Sequence, residues 1–142
     1  MSARRDRIGS VLRIRRIQEE AQRGRLLLAN VEVSSAVAVT ERRRSSYAEL
    51  VPAGGERPSA AFLAERAHHT ASASAVLYAL GEQEAAGERA LVAQQAWTAA
   101  AREVDGVERL VERERTRRFA EQLKTEQLAT DEAAALARRS VR

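Results

Sequence analysis

The chain has 142 residues, a formal net charge of +4, no cysteine, and 44% hydrophobic but only 4% aromatic residues. That rules out a disulfide framework or thiolate zinc site, and no apolar run approaches the roughly 20 residues needed to cross a bilayer. With 31% of residues charged and Ala, Glu, Arg and Leu dominant, the composition points to long helices packed on a thin seam rather than to a thick core.

The absence of cysteine suits a reducing compartment, and Arg4, Arg5, Asp6, Arg7, Arg13, Arg15 and Arg16 interrupt every apolar run that a secretory leader would use, so a cytoplasmic location is expected. Nearly all the positive charge is arginine, Lys124 being the one lysine. It is concentrated in residues 1–44, while the middle is mildly acidic and the last forty or so residues are dense in both signs. A basic end of this kind suits an acidic partner, a nucleic acid or a membrane surface.

Residues 1–50 read as one long helix, with the pattern strongest from Arg7 to Val39. Ile14, Ile17, Ala21, Gly24, Leu28, Val31, Ser35 and Ala38 follow alternating steps of three and four, the spacing that lays a seam along a helix for a partner helix. Arg13, Arg15, Arg16, Glu19, Glu20, Arg23 and Arg25 fall off that seam. Val31, Val33, Val37 and Val39 favour strands, but their helical flanks and the continuing seam keep them in the helix. Residues 51–58 are the clear break: Pro52 ends the first helix, Gly54-Gly55 allows a free turn, and Pro58 suits the first turn of the next.

Residues 59–80 carry Phe62, Leu63, Ala67, Val76, Leu77 and Leu80 on part of a helical face, and Thr70, Ser72 and Ser74 weaken its middle enough to predict short tip helices. Residues 82–139 read as a second long helix. Trp97, Ala101, Val104, Val107 and Val111 make one stripe; Thr116, Phe119, Leu123, Gln127, Thr130, Ala134 and Ala137 continue it after a phase jump near Arg113–Arg115. The expected fold is all-α: an antiparallel two-helix coiled-coil hairpin, a single elongated unit, with short helices at the tip.

No catalytic constellation stands out, and an enzyme is not expected. There is no P-loop, GxGxxG, GxSxG or HExxH pattern, and the carboxylates belong to Arg/Glu-rich helix faces. His68 and His69 diverge by about 100° on a helix, a poor geometry for one metal, so neither a metal nor any other cofactor is expected. Arg42, Arg43 and Arg44 could meet phosphates, but no aromatic side chains alternate with them for base stacking, and docking on an acidic protein fits better than nucleic acid. Trp97 and Phe119 read as seam packing, whereas Tyr47 and Phe62 flank the turn, where an exposed aromatic makes a partner anchor.

The two ends resemble the flagellar export protein FliJ family. The stretch Arg7-Ile8-Gly9-Ser10-Val11-Leu12-Arg13-Ile14-Arg15-Arg16-Ile17-Gln18-Glu19-Glu20-Ala21 is similar to that family's N-terminal signature: an apolar pair, a basic R-x-R stretch, then Q-E-E-A. Glu126-Gln127-Leu128-Ala129-Thr130-Asp131-Glu132-Ala133-Ala134 is similar to its closing E-Q-x-x-x-D-E-x-A. The resemblance implies a non-catalytic stalk of the flagellar type III export apparatus, located in the cytoplasm and peripheral at the inner face of the cell membrane through its partners. It implies paired termini inserted into a hexameric export ATPase, whose assembly and activity they promote. It also implies an opposite end that meets the export gate's membrane protein, and contact with export chaperones. Carried onto this chain, the ATPase-binding residues are Val11, Leu12, Arg13, Arg15, Arg16, Glu19 and Glu20, facing Glu126, Gln127, Asp131 and Glu132; the gate-binding residues are Tyr47 and Phe62. The alternatives are a basic helical hairpin that binds nucleic acid, the stalk homologue of injectisomes, and a coiled coil that self-associates through its valine-rich seam.

Overall fold

A computed structural model describes residues 2–51 and 54–140, and the side chains of residues 7–51 and 54–138. It contains two α-helices, α1 (Ser2–Ala48) and α2 (Ser59–Ser140), and no strand among the described residues. The helix formers Ala, Glu, Arg and Leu account for both. The Glu49 amide bonds to the Ser45 carbonyl and the Leu50 amide to that of Tyr47, which closes α1. Pro52, expected to end the helix, lies outside the described residues. Gly55 has φ of 104°, a left-handed conformation that a side chain would strain. The carbonyl of Pro58 accepts from the amides of Ala61 and Phe62, so Pro58 stands as the cap just before α2.

The tip helices expected over 59–80 are absent: α2 is one helix of 82 residues from Ser59. Thr70 does not break it because its hydroxyl donates to the Arg66 carbonyl one turn back, at 2.9 Å. Thr98, Thr116, Thr125 and Thr130 do the same. This back-bonding satisfies the hydroxyl within the helix, so a polar residue there leaves the backbone ladder intact.

The chain divides into two compact units, one of residues 19–99 and the other of residues 1–18 with 100–142. In the first, α1 and α2 run antiparallel: Glu19 meets Trp97, Glu32 meets Arg89, and Thr40 meets Ala79. The positions of reduced exposure on α1 include Glu19, Gln22, Leu26, Ala29, Val33, Ala36 and Thr40, with Gly24 of the expected seam as well; on α2 they include His69, Ser72, Val76, Ala79, Gln83, Ala86, Ala90, Ala93 and Trp97. Gly24 aside, the residues named on each helix follow alternating steps of three and four, the spacing of helix-helix packing. Its phase differs from the one read from the sequence. Leu28 and Val31 are 68% and 66% exposed, and Ala21, Ser35 and Ala38 are exposed as well. On α2, Phe62, Leu63 and Leu77 likewise point to solvent, and only Val76 of that expected face joins the seam fully in phase.

The reason is the size of the residues at the crossing. Ala29, Ala79, Ala86 and Thr40 are the buried residues among those described. Small side chains let two helix backbones approach closely, whereas Leu28 or Val31 at those positions would hold them apart. The Thr40 hydroxyl donates across the seam to the Ala79 carbonyl at 3.1 Å. Thr40→Val keeps the shape and removes that bond, so it is expected to cost about 1 kcal/mol in a denaturant titration, because the Ala79 carbonyl keeps its helical partner. A larger loss would mean that the hydroxyl does more than bridge.

In the second unit, Ile8, Leu12 and Arg15 of α1 have reduced exposure, as do Ala100, Val104, Val107, Val111, Glu114 and Arg118 of α2. That spacing passes through Arg113–Arg115 unbroken, so the buried side shows no phase jump. Phe119, expected to pack in the seam, is 62% exposed, and residues 120–138 are exposed throughout.

Candidate functional site

Residues 1–18 with 100–142 bring part of the basic N-terminal stretch against α2. Arg15 Nη1 lies 2.6 Å from Glu103 Oε2 and 3.0 Å from Gln18 Oε1; Arg16 Nη2 lies 2.7 Å from Glu108 Oε1. These pairs are solvent-exposed and contribute between about 0 and 1 kcal/mol each. Ile8, Gly9, Leu12 and Arg13 line an open groove with Val111, Arg115, Phe119 and Gln122. Val11 and Arg13 are exposed, while Leu12 is half-buried in the seam.

The facing expected for Val11–Glu20 and Glu126–Glu132 is therefore corrected. The α2 residues opposite Ile8–Arg13 are Val111–Gln122, and Arg15 and Arg16 take Glu103 and Glu108 as partners. Glu126, Gln127, Asp131 and Glu132 lie further along α2, exposed on every side, with no ion pair to α1 among the described residues. Since residues 59–80 belong to α2 and no tip fold takes up its surplus length, that surplus lies at the C-terminal end of the helix. Ion pairs within α2 stiffen the approach to it, with Arg117 Nε 2.9 Å from Glu121 Oε1 and Arg118 Nη2 3.8 Å from Glu114 Oε1. The Glu121 hydrogen bond, then the charges of Glu121 and Glu114, hold the Arg117 guanidinium above its ordinary pKa.

Within residues 19–99, the half-buried Trp97 Nε1 donates to Glu19 Oε1 at 2.6 Å. Glu19 is thus occupied inside the chain, while Glu20 beside it is free to solvent. The sequence placed Trp97 in the seam but gave no sign of its carboxylate partner, because the two residues are 78 positions apart. At the turn end, Tyr47 stacks edge-on against His69, with ring centroids 6.5 Å apart and planes at 82°. Phe62 shares a shallow pocket with Gly55, Arg57, Glu65, Arg66 and His69, and Arg57 Nη1 lies 2.5 Å from Glu65 Oε2. Tyr47 and Phe62 remain 43% and 57% exposed; His69 meets the Tyr47 ring and also lines the pocket of Phe62. The place of His69 beside both was not read from the sequence; its position seven residues after Phe62, on the same helical face, was the available signal.

Among the described residues no helix is long and apolar enough to cross a membrane, and no three His, Cys, Asp or Glu residues cluster to hold a metal ion. Fold and geometry define an all-helical protein whose candidate residues sit along open grooves and helix ends. The family model of the flagellar FliJ protein matches residues 4–142, and the chain belongs to that family, a structural and non-catalytic family associated with flagellar biogenesis and protein export. No curated protein and no solved structure matches the chain.

Proposed function

We propose that the chain is the stalk of the flagellar type III export apparatus. Its N-terminal α1 segment and C-terminal α2 segment insert into the hexameric export ATPase and promote its assembly and activity. Its turn end, through Tyr47 and Phe62, meets the cytoplasmic part of the export-gate membrane protein, and its helical faces receive export chaperones. It works in the cytoplasm at the inner face of the membrane, with the two helices supercoiled as a coiled coil. The family match over residues 4–142 carries this reading.

The geometry supports it and refines the ATPase-facing set. Arg13, Glu20, Glu126, Gln127, Asp131 and Glu132 are exposed and carry no ion pair among the described residues, so they are open to a partner. Arg15, Arg16 and Glu19 already have internal partners and hold the end in shape. A stalk acts through stiffness and its ends, and paired helices flanked by Arg and Glu supply both. The test is ATP hydrolysis by the cognate export ATPase with and without the protein. Stimulation that saturates with added chain is expected; no stimulation and no binding by a chain shown to be helical would overturn the reading.

A further inference from the structure

Within residues 19–99, α1 carries a second seam. Ala21, Leu28, Val31, Ser35 and Ala38 keep helix-packing spacing, yet α2 does not cover them. A helix with two such stripes belongs to a bundle of more than two helices. On this side Val31, Ser35 and Val39 line an open groove with Ala71, Ala75 and Tyr78 of α2. Tyr78, 73% exposed, is the large aromatic of that groove.

Charge says what fits there. Glu32 and Arg89 stand at one end of the groove, 3.3 Å apart; further along it come Glu82 and then Arg43, neither with an ion pair among the described residues. Along the groove α1 therefore carries an anion and then a cation, and α2 a cation and then an anion. A second copy, rotated about an axis along the groove, lays its α2 over this α1 and presents its charges in the opposite order. Side chains lean toward the N-terminus of their own helix, so Arg43 and Glu82 lean toward a common level. We propose that this groove is the face through which two copies of the chain pair, with Tyr78 filling the partner's groove and Arg43 meeting the partner's Glu82.

Sedimentation of the full chain tests this at concentrations up to about 100 μM, against a dimer dissociation constant on the order of 10 μM. Tyr78→Arg is expected to weaken the dimer roughly thirtyfold, the effect of losing a buried aromatic anchor. Arg43→Glu and Glu82→Arg should each weaken it, and the two together should restore it, with helicity unchanged throughout. A chain that stays monomeric over the whole range overturns the proposal. So does self-association that Tyr78→Arg leaves unaltered, or a double charge swap that fails to restore pairing. The readout is mass rather than ATP hydrolysis, so failure here leaves the export reading untouched.

Discussion

Ala86→Glu is expected to destabilise residues 19–99 by about 3–5 kcal/mol, seen as a large drop in the thermal melt followed by circular dichroism. Ala86 is 1% exposed, and the pairings of Glu32 with Arg89 and Thr40 with Ala79 set it near Val33, between Ala29 and Thr40 in register. A carboxylate there loses its water, and the cation nearest along α2, Arg89, is already paired with Glu32. It must either protonate or force the helices apart. The seam has little reserve, because three alanines and one threonine are all that is buried among the described residues. Leu91→Glu is the control. Leu91 is 65% exposed, and Glu is a good helix former, so that substitution is expected to change stability by no more than about 0.5 kcal/mol. A hydrophobicity scale ranks the two the other way, since it counts the loss of a leucine above the loss of an alanine. Equal effects would mean that the seam is not where Ala86 and Thr40 place it.

That contrast also explains which parts of the fold were legible in the sequence. The two helices and the break between them were readable, because Ala, Glu, Arg and Leu favour helix over long windows while Pro and Gly gather at residues 52–58. The period of the seam was readable too. Its phase was not, because counting apolar residues favours Ile14, Ile17, Leu28 and Val31 over neighbours such as Arg15, Glu19, Gln22 and Ala29. Closely packed helices select small side chains at the crossing and let long charged ones lie along its edge with their heads in water. The stripe read from the sequence is real, and it lies on the side that α2 leaves open.

The exposure of Tyr47 and Phe62 beside the turn was legible, whereas the pairing expected at the other end was misread. Tyr47 and Phe62 flank the break in the sequence; Tyr47 meets His69, and His69 lines the pocket of Phe62. The pairing of Val11–Glu20 with Glu126–Glu132 assumed that the two helices end level. Thr70, Ser72 and Ser74 looked like helix breakers that would shorten α2, yet the back-bonding of Thr70 keeps the helix running. The register within residues 1–18 and 100–142 then falls on Val111–Gln122.

Truncation after Gln122 is accordingly expected to leave the melting temperature within a few degrees of the full chain while removing stimulation of the export ATPase by about tenfold or more. Residues 123–138 are all exposed, so their loss uncovers little of the seam. Leu123, Leu128 and Leu136 are nonetheless apolar and 44%, 65% and 66% exposed. An isolated helical extension that keeps apolar residues in water gains from a partner that covers them. Asp131→Arg with Glu132→Arg makes the same point without shortening the chain: stimulation should fall while helicity holds, and the loss should shrink as salt screens the reversed charges. Arg13→Glu, on the groove with Phe119, is expected to fall in the same class. If the truncated chain stimulates as well as the whole one, the proposed ATPase contact does not lie on residues 123–142. If the truncated chain melts far below the whole one, the extension is packed in solution, and its exposure here is not the free state.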